Sequence, residues 1–126
     1  MLSTSHHRAY QDFMTLLTEF NNFLGDLASY GQQAEVKKEF EKIQRWFNDN
    51  IAGLEAEIIG SEFVESEIFS RWLSVQTEIK REFKLLTTDI LFLATTRQKA
   101  TETERRKNIS DRTTKLIGYC QIILKA

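Results

Sequence analysis

The side chains able to do chemistry are few in this sequence, and their spacing decides what they could do. Its one cysteine, Cys120, falls four residues after Leu116 and three before Ile123, on an apolar helical stripe. A thiol nucleophile needs a base and an activating environment. Both histidines, His6 and His7, lie in the first turn of the chain. Cys120 therefore reads as a buried structural thiol. Adjacent histidines do not share a designed metal site, and no Glu-x-x-His repeat of the di-iron bundles occurs. The carboxylates Asp49, Glu55, Glu57, Glu62, Glu65 and Glu67 run without an intervening base. They lack the D-x-[DN]-x-[DN]-G loop of a calcium site and read as a solvated acidic stretch.

Phosphate and acyl chemistry are no better served. Gly25, Gly31, Gly53, Gly60 and Gly118 never fall in a G-x-G or G-x-x-x-x-G-K arrangement, so no glycine cradle for a dinucleotide or nucleotide phosphate is expected. There is no G-x-S-x-G elbow. The expectation is a non-enzyme with no cofactor and no metal.

The elements that would position any site are helical. The 126 residues include no proline, where average usage would give roughly six, and 41% are hydrophobic. That composition argues against turn-rich β folds and against intrinsic disorder, and the length suits one domain with its own core. Tyr10, Phe13, Leu17, Phe20, Leu24 and Leu27 alternate spacings of three and four and predict a first helix from about Ser5 to Ser29, closed by Gly31. Met14, Leu16 and Phe23 widen this stripe, so the helix should touch more than one neighbour.

Val36, Phe40, Ile43, Phe47, Ile51, Leu54 and Ile58 predict a second helix, ended by Gly60 and Ser61. Ile68, Trp72, Val75, Ile79, Phe83, Leu86, Ile90, Leu93 and Arg97 predict a third, from Glu62 to Arg97, roughly 50 Å long. Its end, Ile90, Leu91, Phe92, Leu93 and Ala94, is apolar all round, which implies cover on every side by other helices or by a second copy. Thr101 and Glu104 fit a capping box opening a fourth helix with Ile109, Thr113, Leu116, Cys120 and Ile123 on its stripe. Short loops make consecutive helices antiparallel neighbours. The predicted fold is all-α: a single domain, residues 1–126, forming an elongated bundle of three or four long antiparallel helices.

The net charge of −1 conceals a gradient. Residues 1–79 hold six basic and thirteen acidic side chains, a net of −7, and residues 80–126 hold eleven basic and five acidic, a net of +6. Arg97, Lys99, Arg105, Arg106, Lys107 and Arg112 mark a basic hairpin, completed by Lys115, that could steer an acidic protein partner or a second copy. The alternative reading of the 97–115 hairpin is a nucleic-acid-associated regulator. Against it stand the absence of any aromatic residue between Arg97 and Lys115, an acidic pI and no recognition motif. Trp46, beside Ile43 and Phe47 at the edge of its stripe, is a candidate subunit contact together with Ile90, Leu91, Phe92 and Leu93. The first eight residues have no apolar signal core and no window reaches the length of a membrane span, so a cytoplasmic protein is expected. The wide apolar face of the first helix, the all-round apolar end of the third and the opposite charge poles make a homo-oligomer the expected state.

Residues 68–124 also carry a family likeness. Gln76-Thr77-Glu78-Ile79, Arg81, Leu85-Leu86, Asp89, Phe92-Leu93, Arg97-Gln98, Thr101, Arg105-Arg106, Ile109-Ser110-Asp111-Arg112 and Tyr119-Cys120 resemble the PatD-like proteins of cyanobacteria. The first two helices are similar to that family only in pattern and size. The resemblance implies a small helical regulator of heterocyst frequency that binds the tubulin-like division GTPase FtsZ and alters its assembly. It supplies no binding residues, so the basic residues above rest on charge alone.

Overall fold

The computed structural model describes residues 3–27, 32–58 and 67–125. Four long helices and one short one account for nearly all of them: α1 (Thr4–Asp26), α2 (Gln33–Asn50), α3 (Leu54–Ile58), α4 (Glu67–Thr95) and α5 (Lys99–Lys125). Among the described residues there is no strand.

Local hydrogen bonds set the helix ends, and several differ from expectation. Ser3 caps α1 by accepting the His6 amide at 3.2 Å. The helix closes at Leu27, whose N–H reaches Leu24 O; the Gly31 and Gly60–Ser61 caps lie outside the described residues. The second helix does not run to Ile58. The amides of Ile51 and Ala52 both donate to Phe47 O, and Leu54 N then turns back to Ile51 O at 3.2 Å, so a turn separates α2 from α3. Gly53, which weakens a helix by about 1 kcal/mol relative to alanine, sits in that turn. Ile51, Leu54 and Ile58 stay buried through it, so their spacing could not signal the break.

The α4 helix stops before Arg97. Thr95 and Thr96 hydroxyls both donate to Phe92 O, occupying an end carbonyl with side chains, and Arg97 lies in the three-residue link. Its inward side begins with Phe69; Ile68, placed on the stripe by spacing, is 46% exposed. Thr101 does not cap α5. The helix starts two residues earlier, its amide ladder opens with Glu102 N to Gln98 O at 2.9 Å, and the expected capping box is not the helix start.

Pairs of residues along each seam fix the directions. Phe13 meets Phe47 and Phe20 meets Phe40, so α1 and α2 are antiparallel. Gln33 reaches Thr96 O while Gln76 reaches Ile51 O, so α2 and α4 are antiparallel. Arg105 covers Phe92 while Lys115 pairs with Glu82, and His7 lies near Leu124 O while Asn21 donates to Thr114. The four long helices thus form an up-down-up-down bundle in which α1 and α5 close the ring.

Aromatic rings fill the centre. Phe83 stacks on Phe47 at 4.0 Å between centroids and on Phe40 at 5.3 Å, with Phe13 edge-on at 5.9 Å. Such pairs contribute about 0.5–1.5 kcal/mol each beyond area burial. The core also holds a polar chain. Trp72 Nε1 donates to Tyr10 Oη at 2.9 Å, Tyr10 donates to Gln76 Oε1 at 2.6 Å, and Gln76 Nε2 donates to Ile51 O at 2.9 Å. Every member is paired, which removes most of the penalty of burying a polar group.

Candidate interaction surface

Cys120 and Tyr10 turn out to be internal, and the two histidines are partly exposed but point apart. Cys120 has no exposed surface, and burial pushes its thiol up to about 12, far from a reactive thiolate. His6 lies 2.9 Å from Glu57 Oε2 while His7 faces Leu124 O, so the two imidazoles diverge. Burial also raises the Tyr10 phenol well above its ordinary value, opposed in part by the Trp72 hydrogen bond.

The acidic stretch is largely paired where it is described. Glu55 meets Lys80 at 3.3 Å, Glu57 meets His6, and Glu67 lies 3.9 Å from Arg71. Glu62 and Glu65 fall outside the described residues.

The six cations of the proposed basic patch do not share one face. Arg105 and Lys107 are two residues apart on α5, which turns them about 200° from one another. Arg112 points into the α4–α5 seam, where Nε donates to Asp89 Oδ2 at 2.5 Å and a terminal nitrogen reaches Glu82 Oε2 at 3.2 Å. The Asp89 bond, then the Glu82 bond, raise the guanidinium further above its ordinary value. Burial of Glu82, only 1% exposed, would raise its carboxyl, but hydrogen bonds from Lys115 and Arg112 outweigh it and hold the group below the usual range. Arg106 meets Glu102 one turn back at 3.5 Å. Arg97 and Lys107 are exposed, and Lys99 opens α5. Arg112 is thus a structural cation, a correction that follows from partners on α4 that no local spacing reveals.

The presumed all-apolar end of α4 also divides. Ile90 and Leu93 are 2% and 0% exposed and belong to the bundle's own core, so they are not available to a second copy. At about 100° per residue, Leu91 and Phe92 between them must face outward, and each is 51% exposed. Trp46 is half-buried and lies parallel to Phe13 with centroids 6.0 Å apart. It lines the rim of the core rather than standing free.

One surface remains where apolar and cationic groups meet. The Arg105 guanidinium lies 5.0 Å from the centroid of the Phe92 ring, a cation–π contact. Arg105 Nε is removed from water and has no hydrogen-bond acceptor among the described residues. On the other flank of α4, Leu91 helps to wall a groove against α2 of about 380 Å³. No helix among the described residues is long and apolar enough to cross a membrane.

No family model, curated protein or solved structure matches the chain.

Proposed function

We propose that this chain is a cytoplasmic regulatory protein that acts by protein contact and not by catalysis, through the surface formed by Leu91, Phe92 and Arg105. The observation that carries this reading is the pair of adjacent, half-exposed apolar side chains at the end of α4, one of them covered by an arginine. Aromatic residues and arginines are the groups that most often anchor protein interfaces. The dispersal of the other cations around α5 supports the same reading over a phosphate-tracking one, because a nucleic-acid groove needs its cations in a row.

The resemblance of residues 68–124 to the PatD-like family puts FtsZ first among partners to test, with control of heterocyst frequency as the biological role. Filament co-sedimentation with FtsZ at low and high salt tests it. Binding that Phe92→Asp removes is the expected result. Absence of co-sedimentation at either salt would exclude FtsZ as the partner, and binding indifferent to Phe92→Asp would exclude this surface.

A further inference from the structure

The end of α4 is a crest with an apolar side chain on each flank. Leu91 leans into the groove against α2, which Lys37, Phe40, Glu41, Arg45 and Ile90 also line. Phe92, about 100° further round, leans toward Arg105 on α5. Lys84, seven residues before Leu91, is exposed on the same side of α4. Four cations (Lys37, Arg45, Lys84 and Arg105) therefore border the crest; of the carboxylates, Glu41 lines the groove, and Asp89, one turn before Phe92, is taken up by Arg112. None of the four is in an ion pair among the described residues.

We infer that this crest docks an acidic amphipathic segment of a protein partner, its apolar side chains against Leu91 and Phe92 and a carboxylate on Arg105. The inference rests on the contact function proposed above and adds the chemistry of the partner. A second copy does not suit the site. Closed dimers join the same patch from both subunits, which here would set the four cations against their own duplicates at a cost in repulsion. A nucleic-acid strand suits it no better, because one face of the Phe92 ring is covered by the Arg105 guanidinium and the groove's other aromatic, Phe40, is buried, which leaves no row of rings for successive bases. A carboxylate supplies what Arg105 lacks: a planar, oppositely charged partner for the terminal nitrogens of its guanidinium, which is in no ion pair among the described residues.

Fluorescence anisotropy of the full chain with a labelled helical peptide, glutamates on one face and leucines on the other, tests this. Binding is expected, weakened about tenfold by Arg105→Gln and lost in Leu91→Asp. A peptide with glutamine for glutamate should lose a similar factor on the native chain and little on Arg105→Gln, as a coupled pair requires. Both substituted side chains are at least half-exposed or at the rim, and unchanged thermal melts would confirm that the variants fold. Equal binding of the glutamine peptide would overturn the inference. So would tighter binding of labelled oligothymidylate, or a dimer in sedimentation equilibrium that Leu91→Asp dissociates. If FtsZ co-sediments through Phe92 while the acidic peptide fails to bind, the partner chemistry is wrong and the contact function stands. If neither binds, the acidic-partner inference falls and FtsZ is excluded as the partner.

Discussion

Two stretches of the same α4–α5 seam treat charge in opposite ways. At mid-height Glu82, Asp89, Arg112 and Lys115 satisfy one another, with Glu82 almost wholly out of water. One turn beyond Asp89, at the end of α4, Arg105 has a ring beneath it and no carboxylate, and Leu91 and Phe92 face outward. Both stretches belong to a region with a formal charge of +6, but only the second has charge left to offer. Counting basic residues along the chain measures how much charge is present. Which of it can act on a partner is decided by neighbours across the helix pair.

The contrast can be broken by substitutions, and the largest effect belongs to the mid-section. Phe83, ringed by Phe13, Phe40 and Phe47, anchors the core beside Glu82. Phe83→Ala should cost about 3–5 kcal/mol in urea-induced unfolding. Arg112→Ala strands Asp89 and one side of Glu82; its partial exposure and the remaining Lys115 contact reduce the loss to roughly 2 kcal/mol by the same measurement. A loss no larger than that of an ordinary surface substitution would mean the seam's charges are ornamental.

Acid tests the same network without mutation. The folded-state carboxyl of Glu82 titrates below its unfolded value, so its contribution is complete above about pH 4.3 and disappears as pH falls through the folded value. Unfolding free energy measured down that range should fall less steeply in Glu82→Gln than in the native chain. The smallest effect belongs to the crest. Phe92→Ala removes one exposed cation–π contact and should shift stability by no more than about 1 kcal/mol. A larger shift would show that the crest is structural after all and would erase the comparison.

Periodicity made most of the bundle readable. Tyr10, Phe13, Leu17, Phe20 and Leu24 are all buried as their spacing requires, and so are Ile109, Leu116, Cys120 and Ile123. Features that depend on partners far along the chain were not readable. Arg112 meets Asp89 and Glu82 at separations of 23 and 30 residues, and no local pattern distinguishes it from an exposed cation such as Lys107. A contiguous run such as Ile90–Ala94 states hydrophobicity without direction, so the buried Ile90 and Leu93 could not be told from the exposed Leu91 and Phe92. The break after Ile51 left only Gly53 as a trace, because apolar spacing continues across it. Tyr10 and Trp72 were legible as core, but their polar link through Gln76 was not, since glutamine inside an apolar helix face looks like any surface residue.

That link has a consequence for how the molecule opens. A turn in the middle of a helical segment would ordinarily fray by itself and exchange its amide hydrogens early. Here the carbonyl of Ile51 is held by Gln76 from α4, and Gln76 is held by Tyr10 from α1. Releasing the turn therefore requires separating three helices, an opening close to global unfolding. Amide hydrogen exchange at Leu54, whose N–H donates to that same carbonyl, should follow the slow exchange of the α4 core, and Gln76→Ala should uncouple the two.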